Sequence, residues 1–354
     1  MYQTEIIQAD KLELAAEAVR SGGLVAFPTE TVYGLGALFD SQLAVQNIFE
    51  TKGRPQDNPL IVHLADIEQL AQVAEGDLAL ARTLFKKFSP GPLTLVLKKR
   101  ETVPALVSAG LSTVAVRIPK HPLALALIEA VGKPLVAPSA NTSGRPSPTS
   151  ALAVLEDLAG KIPYILDGGN CLVGLESTVL DISLDKAAIL RPGAIGPDEL
   201  SKVLAYRPQI TTIKAGQAPA APGMKYRHYA PNVQVEIVER NVSGLLEVCA
   251  LEKSPVAFLL SAKSLSKLSH SDIHEKYKRI ASFAELEALQ TAKSFDSEQL
   301  PLVFAYADAV QASQVLFSFF RLAEKRATKI YVEPPSAGPL ADAFMNRLKK
   351  AALR

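Results

Sequence analysis

Lys52 and Arg54, separated by Gly53 and followed by Pro55, lie in the stretch KGRPQDNPLIVH. Two cations on a short irregular segment can converge on one polyphosphate, with arginine offering a bidentate fork and lysine a point charge. They can equally be ordinary helix-end charges facing water. Asn58 and His63 flank the strand that follows. Arg117 interrupts an otherwise apolar strand pattern, TVAVRIP. A charge there needs a partner, either a protein carboxylate or a ligand carboxylate. Ser139 to Thr149 (SANTSGRPSPT) crowds hydroxyls, an amide, a glycine and an arginine behind a strand. Backbone N–H groups and side-chain donors in such a loop can cradle phosphates. Pro28 to Gly36 (PTETVYGLG) sets Thr29, Glu30, Thr31 and Tyr33 beside glycines that let backbone approach a ligand, or it is a tight turn whose hydroxyls satisfy themselves. GLEST at Gly174 to Thr178 and LRPG at Leu190 to Gly193 add Ser177 and Arg191. Neither a GxxxxGK[ST] loop nor a GxGxxG turn occurs, so the chain lacks the P-loop and dinucleotide fingerprints.

These segments must be held by strands and helices. Asp10 to Arg20 reads as a helix, with Asp10 as N-cap, Glu13 three residues on, and Gly22-Gly23 as its stop. Ser41 to Thr51 and Pro122 to Val131 read as further helices. Leu24 to Phe27, Leu60 to Leu64, Leu93 to Leu97, Val114 to Ile118 and Leu135 to Ala137 read as strands. Tyr164 to Leu166, Thr178 to Ile182 and Ala187 to Leu190 follow as strands, and a helix over Gly193 to Ala205 closes the unit. Strands alternating with helices indicate an α/β layer fold, and the clustered late strands favour a mixed sheet. Ligand sites in such folds sit in loops outside strand ends, where the unusual residues cluster.

Between Tyr206 and Asn232 the pattern breaks. Ala215 to Gly223 (AGQAPAAPG) reads as a linker. Met224 to Pro231 (MKYRHYAP) packs Lys225, Arg227 and His228 beside Tyr226 and Tyr229, and reads as a lid over an active site or as a linker end docked on its own domain. Alternation then resumes, with strands at Val233 to Val238, Val256 to Leu260, Leu302 to Tyr306 and Lys329 to Glu333. Helices are expected at Val242 to Leu251, Ala309 to Arg326 and Leu340 to Leu353. The division is therefore 1–205, a linker or lid at 206–232, and a smaller α/β domain at 233–354.

Composition narrows the function classes. Of 354 residues, 48% are hydrophobic, enough for a real core. Lys plus Arg number 38 against 36 acidic residues, which argues against a polyanion binder of histone type but leaves a local basic cleft possible. Cys171 and Cys249 are too few and too far apart for a disulfide framework or a zinc site. With no signal-peptide pattern at Met1 to Asp10 and no apolar run of about 18 residues, a soluble, cytoplasmic protein without a membrane partner is expected.

PTETVYGLG, KGRPQDNPLIVH, SPGPLTLVL, VAVRIP, APSANTSGRPSPT, GLEST and ILRPG, in this order and spacing, resemble the threonylcarbamoyl-AMP synthase family with its YrdC-type catalytic domain. The match covers about residues 5 to 205 and extends into MKYRHYAP, so the chain is similar to the longer, two-domain form. The resemblance implies a twisted mixed YrdC-like sheet with helices and a Rossmann-like C-terminal domain. It implies that L-threonine, bicarbonate or CO2 and ATP give threonylcarbamoyl-AMP and pyrophosphate. That product begins threonylcarbamoyladenosine formation in tRNAs reading ANN codons, with transfer proteins acting downstream and tRNA bound indirectly or weakly. Lys52 and Arg54 are then the catalytic cations. They would bind ATP with Asn58, Thr113, Ser139, Asn141, Ser147, Arg191 and Tyr229. Thr31, His63, Arg117, the Ala137 backbone and Ser177 would hold threonine. Mg²⁺ is expected with ATP, held by phosphate oxygens and water, and no carboxylate cage for it is identifiable. An RNA-binding module without ATP chemistry is the alternative, against which stands the absence of an arginine-rich run or aromatic RNA signature. A different carbamoyl-transfer enzyme, of the hydrogenase-maturation kind, would carry zinc-finger cysteines that this chain lacks.

Overall fold

The structure is a computed structural model describing residues 2–211, 228–238, 244, 255–266, 278–280, 282–291 and 302–353. It divides into two units, 1–143 with 147–226, and 144–146 with 227–354. The linker at Ala215 to Gly223, the residues Met224 to Arg227, Cys249 and all but one residue of the helix expected at Val242 to Leu251 lie outside the described residues.

Ten strands build the first sheet: β1 (Glu5–Ile7), β2 (Val25–Phe27), β3 (Gly34–Leu38), β4 (Ile61–His63), β5 (Leu93–Lys98), β6 (Thr113–Arg117), β7 (Leu135–Val136), β8 (Tyr164–Leu166), β9 (Thr178–Asp181) and β10 (Ala188–Arg191). Their order is β1-β8-β2-β3-β7-β4-β6-β5-β9-β10, with parallel and antiparallel pairs mixed. Side chains alternate between the two faces of a strand. Accordingly Ala26 and Val136 join one buried apolar cluster, while Val25, Phe27, Leu135 and Ala137 join another.

The helix Gln42–Lys52 illustrates the local rules. Ser41 caps it by accepting from the Ala44 amide at 3.3 Å, and Gly53, at φ 59°, ends it with bonds to Glu50 and Phe49 carbonyls. This termination puts Lys52 on the last turn and Arg54 just beyond it. The sheet departs from expectation at Gly34–Leu38, where the segment read as a loop to Gly36 becomes β3, pairing with β2 and β7. Two glycines hid it, because strand propensity counts against glycine. Here they are required: a Cβ on Gly36 would stand 2.9 Å from the Phe27 ring. A helix at Ala151–Leu158 and the strand β1 also went unread. The closing helix runs only over Pro197–Leu204, starting with proline at its first turn behind Gly196.

Among the described residues, the second unit has a five-stranded sheet. Its strands are β11 (Gln234–Ile237), β12 (Val256–Ser261), β13 (Lys278–Ile280), β14 (Leu302–Tyr306) and β15 (Lys329–Val332). They run in the order β11-β15-β12-β14-β13, all parallel. The buried helix Ala309–Ala323 and the C-terminal helix Ala341–Ala352 belong with it. The tripeptide Gly144–Pro146 is part of this unit: Arg321 donates to the Pro146 carbonyl at 2.6 Å and Arg145 pairs with Glu324.

Gly193 tests how tightly the first unit is closed. A Cβ there would meet the Thr178 amide nitrogen at 2.1 Å and the Ser177 carbonyl carbon at 2.5 Å, both backbone atoms that cannot swing aside. Gly193→Ala should therefore cost at least about 1–3 kcal/mol in urea unfolding; a wild-type midpoint would contradict this packing.

Candidate functional site

The register of the sheet gathers one row of polar side chains. His63 on β4 pairs with Arg117 on β6, and Arg117 pairs with Thr94 on β5. All three are buried, as are Thr31 and Ser177. Thr94 and Ser177 share a hydrogen bond of 2.7 Å between their hydroxyls. Arg191, from the end of β10, donates to the Ser177 carbonyl and hydroxyl, each at 3.1 Å. Ile61, Val96, Ala115 and Val179 form a small apolar cluster beside this row. Thr113 begins β6, half-buried, four residues and about 13 Å from Arg117.

Arg117 has a protein carboxylate beside it: its Nη2 lies 2.7 Å from Glu30 Oε2, with both side chains 4% exposed. The guanidinium also donates from Nη1 to Thr31 Oγ1 at 2.9 Å and from Nε to the Gly91 carbonyl at 3.3 Å. Thr31 is set in turn by Thr29, whose hydroxyl is 2.9 Å away and bonds the Val32 carbonyl. Thus the loop after β2 satisfies its own hydroxyls and also reaches Arg117. His63 is uncharged: burial first, and then the Arg117 charge, push its imidazole down to about 3.

A second group forms around Lys52. Its ammonium group donates to the carbonyls of Ser139 and Asn141, and its own carbonyl accepts from the Ser143 amide at 2.9 Å. Lys52 is 1% exposed, so the reading of a helix-end cation facing water fails for it. Burial first, and the Arg54 charge second, hold its pKa well below the ordinary lysine range. Arg54 reaches back to the Asn58 and Pro59 carbonyls at 3.3 and 2.9 Å. Asn58 is buried with neither Oδ1 nor Nδ2 hydrogen-bonded. Ser147, also buried, donates to Glu176 at 2.6 Å.

The strands interlock these loops. The Tyr33 amide bonds the Pro148 carbonyl, Ala140 bonds Tyr33, and Leu35 bonds Pro138, so the segments around Thr31 and Ser139 are fixed together. Ala137 spends its amide on the Ile61 carbonyl at 3.0 Å. Tyr229 is placed in the second unit. Its ring stacks on Phe317 at 5.3 Å with Arg347 over it, and its φ is 67°. Two residues of the site escaped sequence reasoning as participants, Thr94 and Glu176, and Glu30 was marked only as a polar group of its loop, without its tie to Arg117. Thr94 carries the kind of mark that exposed Arg117, a polar residue inside an apolar strand (LTLVL). Among the described residues, no group of three or more His, Cys, Asp and Glu side chains is placed to hold a metal ion. No helix among them is long and apolar enough to cross a membrane.

Comparison with known proteins places this geometry in context. Residues 17–193 match the family model described as Telomere recombination, and residues 195–353 match the model of the threonylcarbamoyl-AMP synthase C-terminal domain. The threonylcarbamoyl-AMP synthase of Pyrococcus abyssi is 51% identical over 243 residues, 66% of this chain and 70% of that protein. The Bacillus subtilis enzyme of the same name is 50% identical over 227 residues, 64% of this chain and 66% of that protein. The crystal structure of P. abyssi Sua5 complexed with L-threonine superposes with a TM-score of 0.82 at 38% identity, covering 99% of this chain and 97% of that one.

The neutral His63 sets a pH dependence. An unfolded histidine titrates near 6.5, and the folded ring near 3. Between those values the unfolded chain takes up a proton that the folded ring refuses. The stability contributed by neutral His63 is complete above about 6.5 and is lost as pH falls toward 3. His63→Gln should therefore lose less stability than wild type between pH 7 and pH 5, by up to about 2 kcal/mol in urea unfolding. Equal losses would show that the ring is protonated in place.

Proposed function

The chain belongs to the threonylcarbamoyl-AMP synthase family, and from that premise we propose how its own residues carry the reaction. The enzyme makes L-threonylcarbamoyl-AMP and pyrophosphate from L-threonine, bicarbonate or CO2 and ATP, the first step of threonylcarbamoyladenosine formation in tRNA. The names of the relatives favour this synthase over an RNA-binding module. The observation that carries the assignment of residues is Arg117, a buried guanidinium at a strand end among small hydroxyl side chains.

Arg117 takes the threonine carboxylate, with Thr31, His63, Ser177 and the Ala137 backbone around it. Support comes from the P. abyssi relative, which was crystallised with L-threonine. The neutral imidazole of His63 can accept or donate one hydrogen bond without adding charge. Lys52, Arg54 and Arg191 face the triphosphate, with Asn58, Thr113, Ser139, Asn141 and Ser147 against the nucleotide. The unbonded amide of Asn58 and the buried ammonium group of Lys52 support that half. Tyr229 is assigned to the nucleotide contacts as well. Mg²⁺ would come with the nucleotide, held by phosphate oxygens and water, and would help neutralise the charge on the departing pyrophosphate. We place the reaction in the cytoplasm, with the product passed to threonylcarbamoyl-transfer proteins and tRNA met indirectly or weakly.

The chemistry needs no covalent enzyme intermediate. The threonine ammonium group loses one proton to water, the free amine bonds to the carbon of CO2 as one C=O π bond opens onto its oxygen, and a second N–H proton leaves to water, giving the carbamate anion. A carbamate oxygen then bonds to the α-phosphorus of ATP as the bond to pyrophosphate breaks. Positioning and stabilisation of the charge moving onto pyrophosphate dominate. A carbamate readily loses CO2 and the adenylate hydrolyses, so water must be excluded while both exist.

Pyrophosphate release should require threonine and bicarbonate together, with serine a poor but detectable substrate, since one methyl group discriminates by only about 1–3 kcal/mol. Full-rate release without an amino acid would overturn the function. Lys52→Ala and Arg54→Ala should each lower turnover by about tenfold or more, a charge-assisted contact being worth roughly 1.5–3 kcal/mol. Arg117→Ala should chiefly weaken threonine binding, and an unchanged calorimetric affinity would remove its carboxylate role.

A further inference from the structure

Glu30 carries more than its ion pair with Arg117 requires. Its Oε2 accepts from the Lys120 amide at 3.0 Å and lies 2.7 Å from Arg117 Nη2. Its Oε1 is buried and has no hydrogen-bond partner among the described residues. Arg117 Nη2 is in the same position: it touches Glu30 as an ion, but its N–H bonds are directed at no acceptor. Nearly all buried polar atoms in folded proteins are bonded, and those that are not ask for an explanation. Here an unsatisfied anionic acceptor and an unsatisfied cationic donor stand side by side, each on a side chain only 4% exposed.

The pair matches one kind of ligand. An α-amino acid at neutral pH is a zwitterion with its ammonium and carboxylate groups on one carbon. A buried Arg–Glu couple, itself without net charge, offers complementary ends to it. A simple monocarboxylate would satisfy Arg117 and be repelled by Glu30. We propose that Glu30 is a second binding residue for the amino-acid substrate: its Oε1 receives the ammonium group of threonine while Arg117 receives the carboxylate. The inference rests on the reading of Arg117 as the threonine clamp and adds to it a test for the α-amino group. It makes the site select amino acids over hydroxy acids of the same shape before any chemistry occurs.

Titration calorimetry on the full chain, without nucleotide, separates this from a role confined to aligning Arg117. The ligands are L-threonine and 3-hydroxybutyrate, which is threonine with hydrogen in place of the ammonium group. Wild type should prefer threonine by about tenfold or more. In Glu30→Gln that preference should fall to within about twofold, with 3-hydroxybutyrate binding no more weakly than to wild type. If Glu30 only aligns Arg117, both ligands lose the same factor and the preference survives, which overturns the proposal. Should Glu30→Gln not fold, Glu30→Asp, with its carboxylate drawn back, is measured against the same two ligands. Wild type binding both ligands equally overturns the proposal without any variant. Wild type binding neither overturns the threonine reading of Arg117 and this inference with it.

Discussion

Burial of the Arg117 guanidinium is the constraint on which the first unit's site depends. Moving a charge of that size out of water costs several kcal/mol even after relaxation, and only close partners offset it. β6 cannot supply them, because its other residues are apolar or small. They come from segments distant in sequence: Glu30 and Thr31 from the loop after β2, and the Gly91 carbonyl ahead of β5. Each must hold its place for Arg117 to stay folded inside. This explains why Thr31 has its own supporting hydroxyl on Thr29, and why the Tyr33 and Leu35 amides are pinned to the Pro138–Pro148 stretch.

Lys52 imposes a similar demand on a different loop. Its two carbonyl acceptors, Ser139 and Asn141, are two residues apart, so the chain there must turn to present both. The Asn141 amide bonding the Ser139 carbonyl, and the Ser143 amide bonding the Lys52 carbonyl, close that turn onto the end of the helix Gln42–Lys52. The helix end is fixed by Gly53, whose positive φ stops the helix one residue after the lysine. A single glycine therefore decides both where the ammonium group stands and where Arg54 leaves the helix.

What could be read in the sequence follows from how local each cause is. The helix Gln42–Lys52 and the strands β2, β4, β5 and β6 are written in caps, stops and apolar runs, and the structure has them within a residue or two. The strand β3 was illegible because its glycines are chosen for contact with Phe27, a residue on the neighbouring strand. Arg117 was legible as a charge needing a partner. Glu30 was not legible as that partner, since the pairing spans 87 positions and is created only when the strands meet. Thr94 was missed for want of the register that sets it opposite Arg117. The resemblance supplied roles for the loop residues, which spacing alone could not. The inclusion of Gly144–Pro146 in the second unit leaves no mark in local sequence either, because its causes, Arg321 and Glu324, lie far along the chain.

The two halves of the proposed site differ in how their charge is balanced, and on that proposal the difference sorts the substrates. Arg117 meets a carboxylate, so its half carries no net charge, and the neighbouring imidazole of His63 adds none. A neutral surrounding of this kind gives little long-range attraction to a polyanion and suits a ligand that is itself a zwitterion. Lys52 is capped by carbonyls, which orient its ammonium group without neutralising it, and it stands within the field of Arg54. Burial and that neighbouring cation both oppose the protonated form, and an arriving anion favours it. A triphosphate is such an anion, and a neutral amino acid is not. In the proposed reaction the carbamate is the first species in which the amino-acid half acquires an extra negative charge, and that charge moves toward the cations as its oxygen approaches the α-phosphorus.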